Sequence, residues 1–268
     1  MTESAVPPLT TPDKAELYRT ALEMLNRSGV PYMVGGTYAF QYYSGISRTT
    51  KDVDLFIRPR DLARILDVLQ RAGFKTEVAF SHWLAKAYHG DKFIDIIFNS
   101  GNGVAEVDDE WFAHAVDEET LGVPVKLCPP EEMIWSKALI MERERYDGAD
   151  VAHLFRHCSG LLNWERLVRR FGPHWRVLLS HLILFGFIYP GERALIPAAV
   201  MKELMNQLAA ELEVPTRNSK VCQGTLLSRA QYLVDVDEWG YNDARATPRG
   251  NMTEQQIAEW TAAIDKSK

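Results

Sequence analysis

The chain has few cysteines, and none of them are spaced as metal ligands or as a disulfide framework. Its 268 residues include three, Cys128, Cys158 and Cys222, which lie far apart and form no Cys-x-x-Cys pair. Disulfide frameworks and structural zinc sites need paired, closely spaced cysteines. We therefore expect three buried thiols in a reducing cytoplasm.

Motifs of several enzyme classes and of membrane proteins are also absent. The sequence has no His-Glu-x-x-His zinc motif and no Gly-x-Ser-x-Gly nucleophile motif. The apolar run at residues 177–189 is too short to span a bilayer. The polar N-terminus lacks the basic-then-apolar pattern of a signal peptide. These absences favour a cytoplasmic protein without a membrane span.

Positive charge is not in excess. The formal net charge is -6 and the isoelectric point is about 5.7. This balance argues against a protein that coats nucleic acid through bulk electrostatics, although a local basic patch could still bind one RNA. The chain is 46% hydrophobic and 25% charged, which is typical of globular proteins.

Hydrophobic periodicity predicts three regions. Residues 1–128 alternate short strands with amphipathic helices after a loose lead-in at residues 1–12, which indicates an α/β (α+β) domain with a small mixed sheet. A Pro-Pro pair then marks a boundary, and residues 129–213 read as a helical domain. Residues 214–268 contain many turn formers, so we expect an extended segment packed on the domains, ending in a short helix.

A glycine pair follows the first strand. Gly35, Gly36 and Thr37 come directly after the apolar strand Tyr-Met-Val and open a helix that ends at Gly45. Glycines at such a position let the backbone approach phosphate oxygens, and the helix N-terminus favours an anion there. A strand-to-helix turn can also need glycine for its geometry alone, so this pair by itself is weak evidence.

Three aspartates lie within apolar strands. Asp52 and Asp54 share one face of the strand RTTKDVDLFI, and Asp95 lies in the middle of KFIDIIF. Burying an unpaired carboxylate is costly, so these acids need partners. Magnesium takes oxygen ligands, and shared carboxylates can hold two ions. The alternative is that Asp52 and Asp54 are solvated edge residues and that Asp95 pairs with a lysine.

The combination of GGT, RTTKDVDLFI and FIDIIF resembles the polymerase-beta-like nucleotidyltransferase superfamily over about residues 30–98. The RTTKDVD run is most similar to the abortive-infection (AbiEii-type) toxin nucleotidyltransferases of bacteria. The resemblance implies a nucleotidyltransferase fold in which Asp52, Asp54 and Asp95 bind magnesium and catalyse transfer. It also implies that Gly35, Gly36 and Thr37 hold the triphosphate of a nucleotide.

The resemblance extends to further candidate residues. Related toxins carry a helical lysine followed by an acid, which here are Lys137 and Asp150, and Arg48 and Thr50 stand where those toxins place theirs. Lys137 is then a catalytic cation near the triphosphate, and the other three residues contribute to nucleotide binding. The alternative for Lys137 and Asp150 is that they belong to a solvated helix face of mixed charge. The alternative for Arg48 is an ordinary surface arginine. The spacer between the glycines and Asp52 is slightly longer than usual.

The implied reaction transfers a nucleoside monophosphate from a nucleoside triphosphate such as ATP to an acceptor, with magnesium in a two-ion site. The acceptor implied by the toxin resemblance is tRNA or another RNA, in a toxin–antitoxin or phage-defence system with a cognate antitoxin protein. Two alternatives stay open. One is a small, antibiotic-type acceptor, which the same core could serve. The other is a non-catalytic nucleotide-binding module.

Overall fold

The computed structural model describes residues 10–215 and 219–263, so most of the predicted lead-in lies outside the described residues. The chain divides into two compact units. The first contains residues 1–101 and 106–129, and the second contains residues 102–105 and 130–268.

The first unit is built on a seven-stranded mixed sheet in the order β3-β4-β5-β2-β1-β7-β6. Its strands are β1 (Met33–Val34), β2 (Val53–Phe56), β3 (Lys75–Phe80), β4 (Leu84–His89), β5 (Lys92–Ile97), β6 (Val116–Thr120) and β7 (Val123–Leu127). Its helices are α1 (Pro12–Ser28), α2 (Gly36–Ser44), α3 (Leu62–Arg71) and α4 (Asp109–Ala113). Strand β2 is antiparallel to β1 and parallel to β5. The predicted mixed sheet with flanking helices is confirmed.

The alternation in β2 separates an apolar face from a polar one. Val53 and Leu55 are almost fully buried, whereas Asp54 and Phe56 remain partly exposed. Because side chains alternate along a strand, the apolar residues join the core while Asp54 stays on the other face. Strand β5 repeats the pattern around Asp95. The sheet thereby holds both acids at the same level on one face.

The sequence predicts a side-chain cap of α3 at Asp61 and a loop or short strand between β3 and β5, and only the first of these expectations is wrong. Asp61 does not cap α3 with its side chain; it lies in a 3-10 turn and accepts a hydrogen bond from Arg58 Nε at 2.9 Å. The segment expected to be a loop or short strand contains the six-residue strand β4. Helix α4 was not expected, although Asp108 caps it by accepting hydrogen bonds from two backbone N–H groups.

The second unit is helical, as predicted. Its elements are α5 (Pro130–Ala138), α6 (Gly148–Cys158), α7 (Trp164–Phe171), α8 (Trp175–Ile188), α9 (Ala198–Leu212), β8 (Val221–Cys222), α10 (Leu233–Asp237), β9 (Asn242–Asp243) and α11 (Glu254–Ala262). The sequence pattern predicts a helix over residues 130–145, but α5 ends at Ala138, and Met141 and Tyr146 form a β-bridge that turns the chain. The region expected to be extended includes α10 and the β8–β9 pair.

Helices α7 and α8 together have the length and composition of a membrane span. Among the described residues, Trp164–Ile188 is long and apolar enough to cross a membrane by length and composition, since an 18-residue window within it has a mean hydropathy of 1.2. A 3-10 turn at Gly172–His174 separates the two helices. Leu178 and Phe185 of α8 are fully buried in the protein. Since a core helix passes the same composition test, this stretch is weak evidence for a span.

Candidate active site

The glycine turn between β1 and α2 places the Asp54 carboxylate at the start of a helix. Gly36 has a φ of +53°, and a Cβ atom there would lie 1.7 Å from Asp54 Oδ2. A Cβ on Gly35 would lie 2.4 Å from the Phe56 ring. The Gly35 N–H donates to the Asp54 carbonyl at 3.0 Å. The glycines therefore have a steric reason to be there, and the helix N-terminus favours the nearby negative charge.

Asp54 and Asp95 lie side by side. They are register partners on the adjacent parallel strands β2 and β5. Neighbouring strands are about 4.8 Å apart, and register partners point to the same face of a sheet. The structure therefore brings two of the three predicted carboxylates together.

Asp95 is paired with Lys86 of β4. The Lys86 Nζ donates to Asp95 Oδ1 at 2.6 Å, and the two side chains are only 23% and 17% exposed. The same ammonium lies 4.5 Å from the centre of the Phe93 ring. Burial raises the pKa of Asp95 above its usual range, Lys86 opposes that rise, and the charge of Asp52 adds to it. The lysine pairing left open by the sequence is therefore observed.

Asp52 lies just before β2 and is held by its neighbours. The Thr50 hydroxyl donates to Asp52 Oδ1 at 3.1 Å. The Tyr18 hydroxyl of α1 donates to the carbonyls of Lys51 and Phe93, both at 3.1 Å, which ties the entrances of β2 and β5 together. Burial, and then the charge of Asp52, raise the pKa of Tyr18 to about 12. The hydrogen bond from the Thr50 hydroxyl thus orients the carboxylate of Asp52.

The other nucleotide-binding candidates of the first unit lie close in sequence to these acids. Thr37 follows the glycines on the first turn of α2 and is partly exposed. Arg48 lies in the segment between α2 and β2, with its guanidinium 4.2 Å from the centre of the Phe40 ring. This cation–π contact orients the guanidinium of an arginine that is exposed.

Lys137 and Asp150 belong to the second unit and contact each other. Lys137 Nζ lies 2.9 Å from Asp150 Oδ2 and 3.0 Å from Asp147 Oδ2. Arg145 donates two further hydrogen bonds to Asp147. Burial alone would raise the pKa of Asp147, but Arg145 and Lys137 hold it below its usual range. Lys137 is thus a cation shared between two carboxylates.

The donors suit magnesium in kind, since all three predicted ligands supply carboxylate oxygens. No group of three or more His, Cys, Asp or Glu residues within residues 10–215 and 219–263 is arranged to hold a metal ion. Asp95 is paired with the ammonium of Lys86. The three-carboxylate magnesium site therefore stays a prediction.

Lys86 is the residue of this site that sequence reasoning missed. The register pairs Asp54 with Asp95, Asp95 with Lys86, and Lys86 with Glu77, which gives one row of charged side chains across β2, β5, β4 and β3. The alternation in Leu-Ala-Lys-Ala-Tyr-His could have identified β4 as a strand. The pairing of Lys86 with Asp95 then follows from the β4–β5 hairpin, whose strands are joined by Gly90 and Asp91.

Solved structures with a related fold are distant. The antibiotic-resistance factor ANT(2'')-Ia is 17% identical with a TM-score of 0.46, over 63% of this chain and 96% of that one. The lincosamide antibiotic adenylyltransferase LnuA is 15% identical with a TM-score of 0.39, over 55% of this chain and 98% of that one. JHP933 from Helicobacter pylori is 13% identical with a TM-score of 0.40, over 75% and 95%. No curated protein matches the chain.

A match to a protein-family model gives stronger evidence about the family of this protein than these distant structures do. The family described as "uncharacterised nucleotidyltransferase" matches residues 14–175, which include the glycine turn and all three aspartates. Because the matched residues make up more than half of the chain, the protein belongs to this nucleotidyltransferase family and is an enzyme of that class.

Proposed function

We propose that the protein transfers a nucleoside monophosphate from a magnesium-bound nucleoside triphosphate to a hydroxyl group of an acceptor. The observation that carries the proposal is the register pairing of Asp54 with Asp95 beside the glycine turn. Two carboxylates on one sheet face next to a helix N-terminus suit the joint binding of a cation and a triphosphate.

The candidate site residues of the first unit have distinct roles in this reaction. Asp52 and Asp54 bind magnesium, which supplies charge neutralisation for the triphosphate. Asp95 is the third magnesium ligand and also accepts the proton of the acceptor hydroxyl, whose oxygen attacks the α-phosphorus while the bond to pyrophosphate breaks. Gly35, Gly36 and the N–H groups of the first turn of α2 contact phosphate oxygens. Pyrophosphate leaves as the second product.

Other cations and hydroxyls assist binding. Arg48 contacts phosphate or the acceptor, and Thr50 keeps Asp52 oriented through its hydrogen bond. Lys137 offsets charge on the leaving pyrophosphate, and Asp150 holds that lysine in place at 2.9 Å.

The acceptor that we propose is a small hydroxyl-bearing molecule rather than RNA. The net charge of -6 disfavours a polyanionic acceptor, because long-range repulsion slows its approach. The antibiotic-type modifier therefore comes before the RNA-modifying toxin with a cognate antitoxin, which rests on the RTTKDVD run and on the Lys137 and Asp150 helices. Both acceptors need the same core, so the acceptor can be wrong while the transfer chemistry is right.

The test is a labelling screen. The protein is incubated with magnesium and each α-³²P-labelled nucleoside triphosphate, against total RNA and against a panel of small hydroxyl compounds. We expect label on a small compound, and a rate reduced about 100-fold or more in Asp54→Asn and Asp95→Asn. Asp117→Asn, at an exposed aspartate of the same unit, is the control and should keep the wild-type rate.

Each other result has a definite meaning. Label on RNA would refute the small acceptor and support the toxin. Nucleotide binding without turnover, unchanged in Asp54→Asn, would identify a non-catalytic module. Turnover that is unaffected by both active-site substitutions would refute the site.

A further inference from the structure

Lys86 is the only positive member of the charged row on this face of the sheet. The row runs from Asp54 through Asp95 and Lys86 to Glu77, each residue being the register partner of the next. Lys86 bonds to Asp95, at 2.6 Å, and Glu77 instead accepts a hydrogen bond from the Tyr88 hydroxyl at 2.8 Å. The lysine is thus directed toward the candidate metal ligand, away from its other acidic neighbour.

We infer that Lys86 is a built-in cation that occupies Asp95 and sets the affinity of the site for divalent metal. The inference rests on the proposed function, since it concerns the same carboxylates. Lys86 is a positioning residue. Its ammonium binds the Asp95 carboxylate in the protein without nucleotide, and it moves away from Asp95 when a metal-bound nucleotide binds.

Two contacts support this role. The ammonium bonds to Oδ1 of a carboxylate that is only 17% exposed, so a metal ion must displace it or share Asp95 with it. Sharing is unfavourable, because an ammonium and a divalent ion at neighbouring positions repel each other. The Phe93 ring, 4.5 Å from the ammonium, gives the displaced charge a second favourable contact.

A purely structural lysine predicts something different. If Lys86 only neutralises a buried acid, its removal lowers stability and leaves metal affinity unchanged or lower, because the carboxylate loses its orientation. If Lys86 occupies the cation position, its removal raises metal affinity. The two roles therefore differ in the sign of one measurement.

The experiment measures Mn²⁺ binding to the full chain without nucleotide, by the electron paramagnetic resonance signal of free Mn²⁺. We expect Lys86→Met to bind Mn²⁺ at least about 10-fold more tightly than wild type, because the repulsion between the ammonium and the divalent ion is removed. Lys86→Arg keeps the charge and should resemble wild type. Lys126→Met removes a similar lysine from a cross-strand pair, at 2.7 Å from Asp117, and should also resemble wild type.

The outcomes separate this inference from the proposed function. Equal or weaker Mn²⁺ binding in Lys86→Met would overturn the role of Lys86 while leaving the metal site intact. Absence of Mn²⁺ binding in wild type and every variant would overturn the metal site itself. Lys86→Gln, which can still hydrogen-bond Asp95, gives the same test if circular dichroism shows that the methionine variant does not fold.

Discussion

Replacing Gly36 with alanine tests whether the position of the Asp54 carboxylate matters for transfer. The new Cβ would lie 1.7 Å from Asp54 Oδ2, whereas Cβ contacts below 3.0 Å essentially never occur. The carboxylate must therefore retreat by about 1.3 Å, the difference between those two distances. A displacement of about 1 Å at a reacting centre can reduce a rate roughly 100-fold.

The strain of the backbone must be separated from this displacement. Gly36 has a φ of +53°, and an alanine in the left-handed region costs roughly 1–2 kcal/mol. Gly45, at the other end of α2, has a φ of +70° and nothing within 4 Å of its built Cβ. Gly45→Ala therefore carries the same kind of strain without contacting Asp54.

The assay compares pyrophosphate release and thermal stability in both variants, with the acceptor that the labelling screen identifies. We expect both to lose stability, and only Gly36→Ala to lose about 100-fold in rate. Equal rates for the two alanine variants would refute the reasoning, because they would show that Asp54 can leave its place at the glycine turn without consequence.

Two further changes probe the second unit. Arg166 lies buried between Glu131 and Glu132, so Arg166→Met leaves uncompensated charge and should cost roughly 3–5 kcal/mol in urea unfolding; a loss below about 1 kcal/mol would contradict this. Burial lowers the pKa of His181 below 6.5, so the unfolded chain gains a proton below that pH before the folded protein does. Stability should therefore fall as pH drops below 6.5, and His181→Gln should remove up to about 1.4 kcal/mol per pH unit of that slope. An unchanged slope between pH 7 and pH 5 would refute the assignment.

The faces of single strands and the ends of single helices could be predicted, because each depends on a few residues that are neighbours in the sequence. The period of two in β2 separates Val53 from Asp54 without any knowledge of neighbouring strands. Gly45 ends α2 because its left-handed conformation suits glycine, and this preference is visible in the sequence alone. The strand-embedded acids were recognisable for the same reason.

Features that depend on partners could not be predicted. Asp61 stands in a good position to cap α3, but Arg58 binds its carboxylate and removes it from that role. Lys86 reaches Asp95 because β4 and β5 form a hairpin across Gly90 and Asp91, and its register follows from the sequence only once β4 is recognised as a strand over its full length. For such residues the type of side chain is visible in the sequence, whereas its partner depends on how the surrounding elements fold.

The glycine turn shows how the two kinds of information combine. The sequence suggested that Gly36 makes room for phosphate, and the structure shows that Asp54 fills the space where a Cβ would stand. A phosphate approaching the same helix start meets a carboxylate and is repelled unless a cation lies between them. The turn therefore suits a metal-bound nucleotide better than a free one, and nucleotide affinity should depend on divalent metal through Asp54.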